Sequence, residues 1–382
     1  MLNNLNDIAD NHLVALATLS IFGAVHAQSS VTLFGVLDAT LNHTSATNVG
    51  SVNQLSNSGL NSSRLGFKGT EDLGGGLSAG FWLEAGINND NGTGSATSAN
   101  NQPIGAFNPV SGANGSVRPG TQGLVFNRRS TISLSSNFGE IRLGRDYVPA
   151  FWNQTNFDPF GTNGSGAASN LTQALASGSG VTTGIRASNS IGYFLPSNIG
   201  GVYGQAMFAF GENNSTATND KDGTHTGLRI GYANGPLDVA FGYGVTKLDS
   251  VATVNGKFES INIGGTYNFE TFKLFALLNR ESTDVVGSYN SSKSYLIGAS
   301  APLGAGELKA SFMQAKAGSD DAKANQIALG YVYNLSKRTA VYTTFSRLKN
   351  SGVTANYGFN GMTSNVADGK TTGYDLGIRH SF

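Results

Sequence analysis

From Val31 onward the chain runs in segments of about ten residues in which apolar and polar positions alternate, separated by clusters of Gly, Asn, Asp and Ser. Alternation with period two puts successive side chains on opposite faces of a strand. Leu77, Ala79, Phe81, Leu83 and Ala85 share one face, against Ser78, Gly80, Trp82 and Glu84; Ile327, Leu329, Tyr331, Tyr333 and Leu335 oppose Ala328, Gly330 and Asn334. The pattern predicts sixteen strands, at 31–43, 62–71, 77–88, 124–136, 140–147, 188–195, 200–211, 224–233, 236–247, 258–268, 271–282, 292–301, 306–316, 323–334, 338–349 and 371–382. No helical period is visible and few strands are apolar on both faces, so the apolar faces have no second layer to pack on. That pattern suits an antiparallel transmembrane β-barrel, apolar outside and polar within, and an even strand count returns both chain ends to the periplasmic side. Short gaps at 71–76, 302–305 and 334–338 then read as periplasmic turns, and the long gaps between them as external loops. Two loops stand out: 88–123, rich in Gly, Asn and Ser, and 148–187, which holds Trp152, Phe157, Phe160 and Leu171 among small residues. Loops of this length are usually functional or disordered, and the second has enough apolar anchors to be packed.

Composition agrees. Glycine is 52 of 382 residues, or 13.6%, roughly twice the ordinary share of about 7% and too much for a helical protein. Hydrophobic residues make 39% and charged ones 13%. A helix crossing a bilayer needs about 20 consecutive apolar residues, and the longest mostly apolar stretch, 13–25, has 13. The 24 basic and 24 acidic side chains cancel, which gives no support to a role on nucleic acid. With no cysteine in the sequence, disulfides and thiol chemistry are absent.

Residues 13–25, LVALATLSIFGAV, precede His26, Ala27 and Gln28. Small side chains at Val25 and Ala27 suit cleavage after Ala27, which divides the chain into a signal peptide at 1–27 and a barrel at 28–382. Residues 1–12 carry Asp7 and Asp10 and no Lys or Arg, unlike the basic start of an export signal; a misassigned start codon accounts for this. The alternative is a buried helix over 13–25. Cleavage removes two acids and no base and leaves 24 basic against 22 acidic side chains, a net charge of +2.

At the C-terminus Tyr374, Leu376, Ile378, His380 and Phe382 share one face, and Asp375, Gly377, Arg379 and Ser381 the other. Aromatics at both ends of an apolar face fit the girdles of a membrane barrel. Here the sequence resembles the general porin family of Gram-negative outer membranes. The likeness spans the mature chain: an opening QSSVTLFGVLDA, SRLGFKGTEDLGGGLSAGFWLEAG at 63–86, FGEIRLGRDY at 138–147, FDPFG at 157–161, and GIRHSF at the end. The resemblance implies a homotrimer of sixteen-stranded barrels in outer-membrane lipid and lipopolysaccharide, each with a water-filled pore narrowed by an inward-folded third loop. It also implies that Phe382 is the signal read by the barrel-assembly machinery, and that the 88–123 loop latches onto a neighbouring subunit.

Passive diffusion of small hydrophilic solutes needs a wet hole and a charged constriction, with no catalytic group, metal or cofactor. Alternation points Arg64 and Lys68 into the lumen, opposite Leu65 and Phe67, and does the same for Asp38 and Glu84. In the family three wall arginines oppose acids on the third loop. By motif these fall on Arg64 of SRLGFKG, Arg128 of NRRSTISL and Arg186 of GIRASN, with Asp158 of FDPFG as the loop acid. Alternation against Ile132 and Leu134 instead points Arg129 inward and Arg128 outward; a bulge between them reconciles the two readings, so both remain candidates. The competing role for each arginine is a rim charge facing lipopolysaccharide. An arginine majority predicts a modest anion preference.

Other signals fail. Gly369, Lys370 and Thr371 resemble the end of a phosphate-binding loop, but Ser364 stands where its first glycine belongs. Asp220, Asp222 and Gly223 resemble the start of a calcium loop, but Arg229 occupies position twelve, which excludes a hand-type site and leaves only a weak loop site. The five histidines lack metal-ligand spacing. The rival readings are a porin specific for phosphate or a sugar, and an outer-membrane barrel enzyme, for which no nucleophile motif is found. For a sugar slide, the two tryptophans, Trp82 and Trp152, are few.

Overall fold

Strands follow one another around a closed antiparallel ring in the computed structural model, which describes residues 30–95, 97–102, 117–118, 123–249, 256–285, 288–318, 322–352, 357–364 and 366–382. The expected signal at 1–27 lies outside these residues. In chain order the ring holds β1 (Ser30–Ala46), β2 in two halves (Gly50–Asn57 and Arg64–Gly74), β3 (Leu77–Asn88), β4 (Arg129–Ser136), β5 (Gly139–Tyr147), β6 (Arg186–Phe194), β7 (Val202–Ala209) and β8 (His225–Asn234). It continues with β9 (Leu237–Lys247), β10 (Lys257–Asn268), β11 (Lys273–Val285), β12 (Ser288–Leu303), β13 (Gly306–Ala317), β14 (Lys323–Asn334), β15 (Thr339–Ser351) and β16 (Lys370–Ser381). β16 pairs with β1, from Val36 opposite Ser381 to Ala46 opposite Thr371, which closes the ring at sixteen strands. Closure leaves no edge whose backbone groups would lie unpaired in hydrocarbon.

The two faces separate as the alternation predicts. On β1, Leu33, Leu37 and Leu41 are exposed to the outside, while Asp38, Thr40, Asn42 and Thr44 are buried inside. On β16, Tyr374, Leu376 and Ile378 are exposed and Asp375 is buried. Bare aliphatic side chains all round a barrel are the surface that lipid covers.

Two features depart from the sequence pattern. The alternation shows neither the first half of β2 nor its break at 58–63. Gly50–Asn57 pairs with the upper part of β1 and Arg64–Gly74 with the lower part. Between them the chain leaves the ladder and three of its backbone N–H groups turn to one residue: Asp38 Oδ2 accepts from the backbone N–H of Leu60 (2.9 Å) and Asn61 (2.6 Å), and Asp38 O accepts from Ser58 N (3.0 Å). Gly59 sits so close to Tyr342 and Thr40 that a Cβ there would collide with both hydroxyls.

The second departure is helix. The third loop contains α1 (Phe151–Asn156), α2 (Ser169–Thr172) and α3 (Ala174–Gly178), too short for a 3.6-residue period to register. This loop folds into the barrel. Phe157 and Leu171, both fully buried, pack on an apolar patch of the inner wall made by Leu277, Leu296, Met313 and Leu348. Glycines on β9, β10, β12 and β14 make room for it: Gly242 faces Ala150, Gly264 faces Phe157, Gly298 faces Pro159 and Gly330 faces Phe160. A Cβ on Gly264 would stand 2.5 Å from the Phe157 ring. Polar ties complete the seat. Ser165 N and Oγ donate to Asp375 (2.9 and 2.7 Å), Gln326 Nε2 to the carbonyls of Gly166 and Ala167, and Arg229 Nε to Asn153 (2.7 Å).

The described part of the 88–123 loop rests on this chain's own rim. Asn101 exchanges hydrogen bonds with Ser188, and Gln102 Nε2 donates to Asn213 (2.7 Å).

Candidate functional site

A cavity lies between the third loop and the wall formed by β2–β6. The narrow space there, about 520 Å³, is bounded by Arg64, Arg128, Arg129 and Arg186 with Glu84 and Trp82 on the wall side. Tyr147, Phe151, Trp152, Thr155, Thr162, Asn163, Ser169 and Gln173 complete the rim. Four guanidiniums and one carboxylate line this space, and Asp146, just behind the lining, offsets part of the charge of Arg129.

Each arginine is held by what the strand geometry puts beside it. Register places Arg64 and Arg129 on β2 and β4, flanking β3 and its Glu84. Glu84 Oε1 takes Arg128 Nε at 2.5 Å and lies 3.9 Å from Arg64 Nε. Arg129 lies over the Trp82 ring, 4.6 Å from its centroid, with Nε 3.7 Å from Asp146. Arg128 and Arg186 both donate to the Tyr147 hydroxyl (2.7 and 2.8 Å), and Arg186 lies over that ring at 4.3 Å. Tyr147 stacks in turn on Phe151, rings 5.4 Å apart and 7° from parallel. Flat cations stacked on aromatic faces and tied by hydrogen bonds keep their charge with little freedom to swing.

β4 begins at Arg129, so Arg128 precedes the strand and escapes its alternation. Both side chains therefore reach the same space, with no bulge between them. Lys68 lies one level toward the periplasmic turns, above Phe34 and Trp82, in a recess shared with Arg129, Arg142 and Glu140. Sequence reasoning missed Arg142 and Asp146. They pair at 3.1 Å, and Arg142 also pairs with Glu140 at 2.7 Å. The alternation of Arg142 and Asp146 against Ile141 and Leu143 in IRLGRDY is signal enough to find them.

One expected acid keeps its predicted face but is covered, and another turns away from the arginines. Asp38 is on the inner face but fully buried, accepting from Tyr342 Oη (2.5 Å) as well as from the break in β2, so it offers no charge to the lumen. Asp158 does not face the arginines. Its side chain turns into the third loop, where Oδ1 accepts from Phe160 N (2.9 Å) and Oδ2 from Ala168 N (2.7 Å). Burial pushes this carboxyl up to about 7, against the pull of those two donors and of Lys309. The loop presents only uncharged side chains to the narrow space, so the expected arginine-against-acid arrangement is corrected: the carboxylate opposing the arginines is Glu84, on the wall itself.

At the closing seam Phe382 exchanges both backbone hydrogen bonds with Gly35 (3.0 and 3.1 Å), and its ring covers that glycine. Among the described residues no group of three or more His, Asp or Glu is arranged to hold a metal ion.

A family model described as Gram-negative porin matches residues 13–353. The chain is similar to outer membrane porin protein 32 of Delftia acidovorans, at 39% identity over 97% of this chain and 99% of that one. It is also similar to an outer membrane porin protein of Bordetella pertussis, at 30% identity over 97% of this chain and 99% of that one. Among solved structures, the anion-selective porin from Comamonas acidovorans superposes with a TM-score of 0.77 at 38% identity, covering 93% of this chain and all of that one.

Proposed function

Because this chain belongs to the Gram-negative porin family, we propose that it is a general diffusion porin of the outer membrane, passing small hydrophilic solutes and ions with a modest preference for anions. The observation that carries the preference is the charge at the narrows, four arginines against Glu84, with an uncharged loop opposite. The solved relative at 38% identity bears the description anion-selective, in keeping with this reading. Pore constriction is the role assigned to Arg64, Arg128, Arg129 and Arg186, with Lys68 extending the basic wall toward the periplasm. The protein acts as a homotrimer in lipid and lipopolysaccharide, delivered after removal of residues 1–27 and recognised by the assembly machinery through Phe382. It is a channel and not an enzyme, since transport down a gradient requires no bond to be made or broken.

The test is the reversal potential of the purified trimer in a planar bilayer under a KCl gradient, with liposome swelling by neutral sugars of increasing size. Chloride preference with a size cutoff is expected; potassium preference would overturn the reading. N-terminal sequencing of the exported protein should return Gln28. The four arginines also suit a phosphate-specific channel, in which case millimolar phosphate would block the chloride current instead of adding to it. For a sugar slide Trp82 is poorly placed, because Arg129 and Lys68 both lie over its ring.

A further inference from the structure

At the loop end of the barrel two carboxylates are buried, and among the described residues neither has a counter-ion. Asp222 closes the loop between β7 and β8 and is 4% exposed; Asp249 follows β9 and is 7% exposed. Backbone bonds bring the two segments together: Gly223 N donates to Lys247 O (2.9 Å), and Lys247 N to Thr224 O (2.9 Å). Asp222 N donates to Asn219 O (3.0 Å), folding Asn219, 3% exposed, against the same junction. One side-chain oxygen of each of these three residues, Oδ1 in every case, is fully buried and has no hydrogen-bond partner among the described residues. The ion pairs among the described residues include neither aspartate. Lys221 and Asp220, next in sequence, are exposed.

Buried carboxylates with unmet acceptor oxygens are costly unless they are paired or coordinate a metal. Burial, and behind it the charge of Asp249, pushes the Asp222 carboxyl up to about 7, as expected where like charges share a dry site. Orphaned oxygens on three residues gathered at one junction, two of them anionic, are the donor type of a hard cation, which takes oxygen ligands and leaves remaining positions to carbonyls or water.

We propose that Asn219, Asp222 and Asp249 hold a divalent cation, calcium or magnesium, that ties the β7–β8 loop to the segment after β9. The ligands come from two loops, which is why the Asp220–Asp222–Gly223 run does not continue as a one-loop motif in sequence.

The probe is calcium itself, titrated calorimetrically into the folded full-length mature protein in detergent after chelation. One saturable site per chain is expected in the wild type, weakened at least tenfold in Asp249→Asn and lost in Asp222→Asn/Asp249→Asn. Absence of saturable binding, or binding unchanged in the double variant, overturns the proposal. Hydrogen exchange on the wild type alone guards against a misfolded variant: calcium should slow exchange at 219–224 and 247–249, and no change there counts against the site. Should lowering the pH to 6 give that protection while calcium does not, protonation satisfies the aspartates and the cation site is refuted.

Discussion

Removing charges of opposite sign at the narrows should shift ion selectivity in opposite directions. Arg64→Gln leaves three lining arginines with Glu84, and Glu84→Gln leaves four with no carboxylate in the lining, Asp146 remaining beside Arg129. Arg64 is the arginine to remove, because its Nε is 3.9 Å from Glu84 and its side chain 28% exposed, whereas Arg128 is held at 2.5 Å and is 13% exposed. An ion about 4 Å from one unpaired charge changes in energy by roughly 1 kcal/mol in bulk-like water. With a Debye length of about 8 Å at physiological salt, partial screening reduces this to roughly 0.5–1 kcal/mol. The change has opposite sign for anion and cation, so their permeability ratio moves by about twice as much, roughly 1–2 kcal/mol or about 5- to 30-fold. R64Q should lower the chloride-to-potassium ratio by a factor in that range, and E84Q should raise it. The assay is the reversal potential across a KCl gradient, repeated at high salt, where a Debye length of about 3 Å at 1 M should compress both shifts. Shifts in the same direction, or a ratio unmoved by R64Q, refute the assignment of the narrows to these residues.

Three further outcomes follow from the fold. Deleting Phe382 removes two backbone bonds to Gly35 and the ring that covers it; synthesis should continue while heat-modifiable trimer on gels disappears, and normal trimer levels would refute the role of the seam. Gly264→Val puts side-chain atoms where the Phe157 ring sits, so the loop should lift and single-channel conductance rise in a barrel that still folds; unchanged conductance would count against the glycine seat. Burial holds Asp158 up at about 7, above the unfolded value of about 3.9, so its protonated form favours the docked loop. That contribution is full below about pH 4 and is lost as pH rises through 7. Loop-dependent current noise should therefore be lower at pH 5 than at pH 8 in the wild type and insensitive to pH in Asp158→Asn, with equal noise at both pH values in the wild type as the contrary result.

Most of the barrel is legible because alternation is a property of each strand alone. β3 and β14 have the expected bounds, 77–88 and 323–334, since nothing interrupts their period. β2 is legible only in its lower half: the upper half, GSVNQLSN, has two widely spaced apolar residues and ends in a break whose donors are satisfied by Asp38, more than twenty residues away in the chain. Arg64, Arg129 and Glu84 come from alternation. Arg128 and Arg186 come only through motif resemblance, because they stand where a strand begins or a loop ends. The direction of the Asp158 side chain is not legible, because it depends on the N–H of Ala168, ten positions on, being folded back against it.

The division of labour between wall and loop follows from where each kind of group can be held. A guanidinium on a strand has neighbours at fixed register, so Glu84, Asp146, Trp82 and Tyr147 can fix four arginines without closing the lumen. A carboxylate on the loop has no such frame; at Asp158 it is drawn instead into satisfying the loop's own turns. The loop is free to be neutral, and its position is set by packing: Phe157 against Gly264, Pro159 against Gly298 and Phe160 against Gly330. Interiors of this density move in discrete steps and do not deform smoothly, so the loop holds one width until a glycine is filled. On the proposed function, width and sign of selectivity rest on different residues, and they should separate on mutation: G264V should change conductance with little change in the chloride-to-potassium ratio, and R64Q the reverse. Variants that always moved both quantities together would mean that loop and arginines form one coupled element, and the separation argued here would fail.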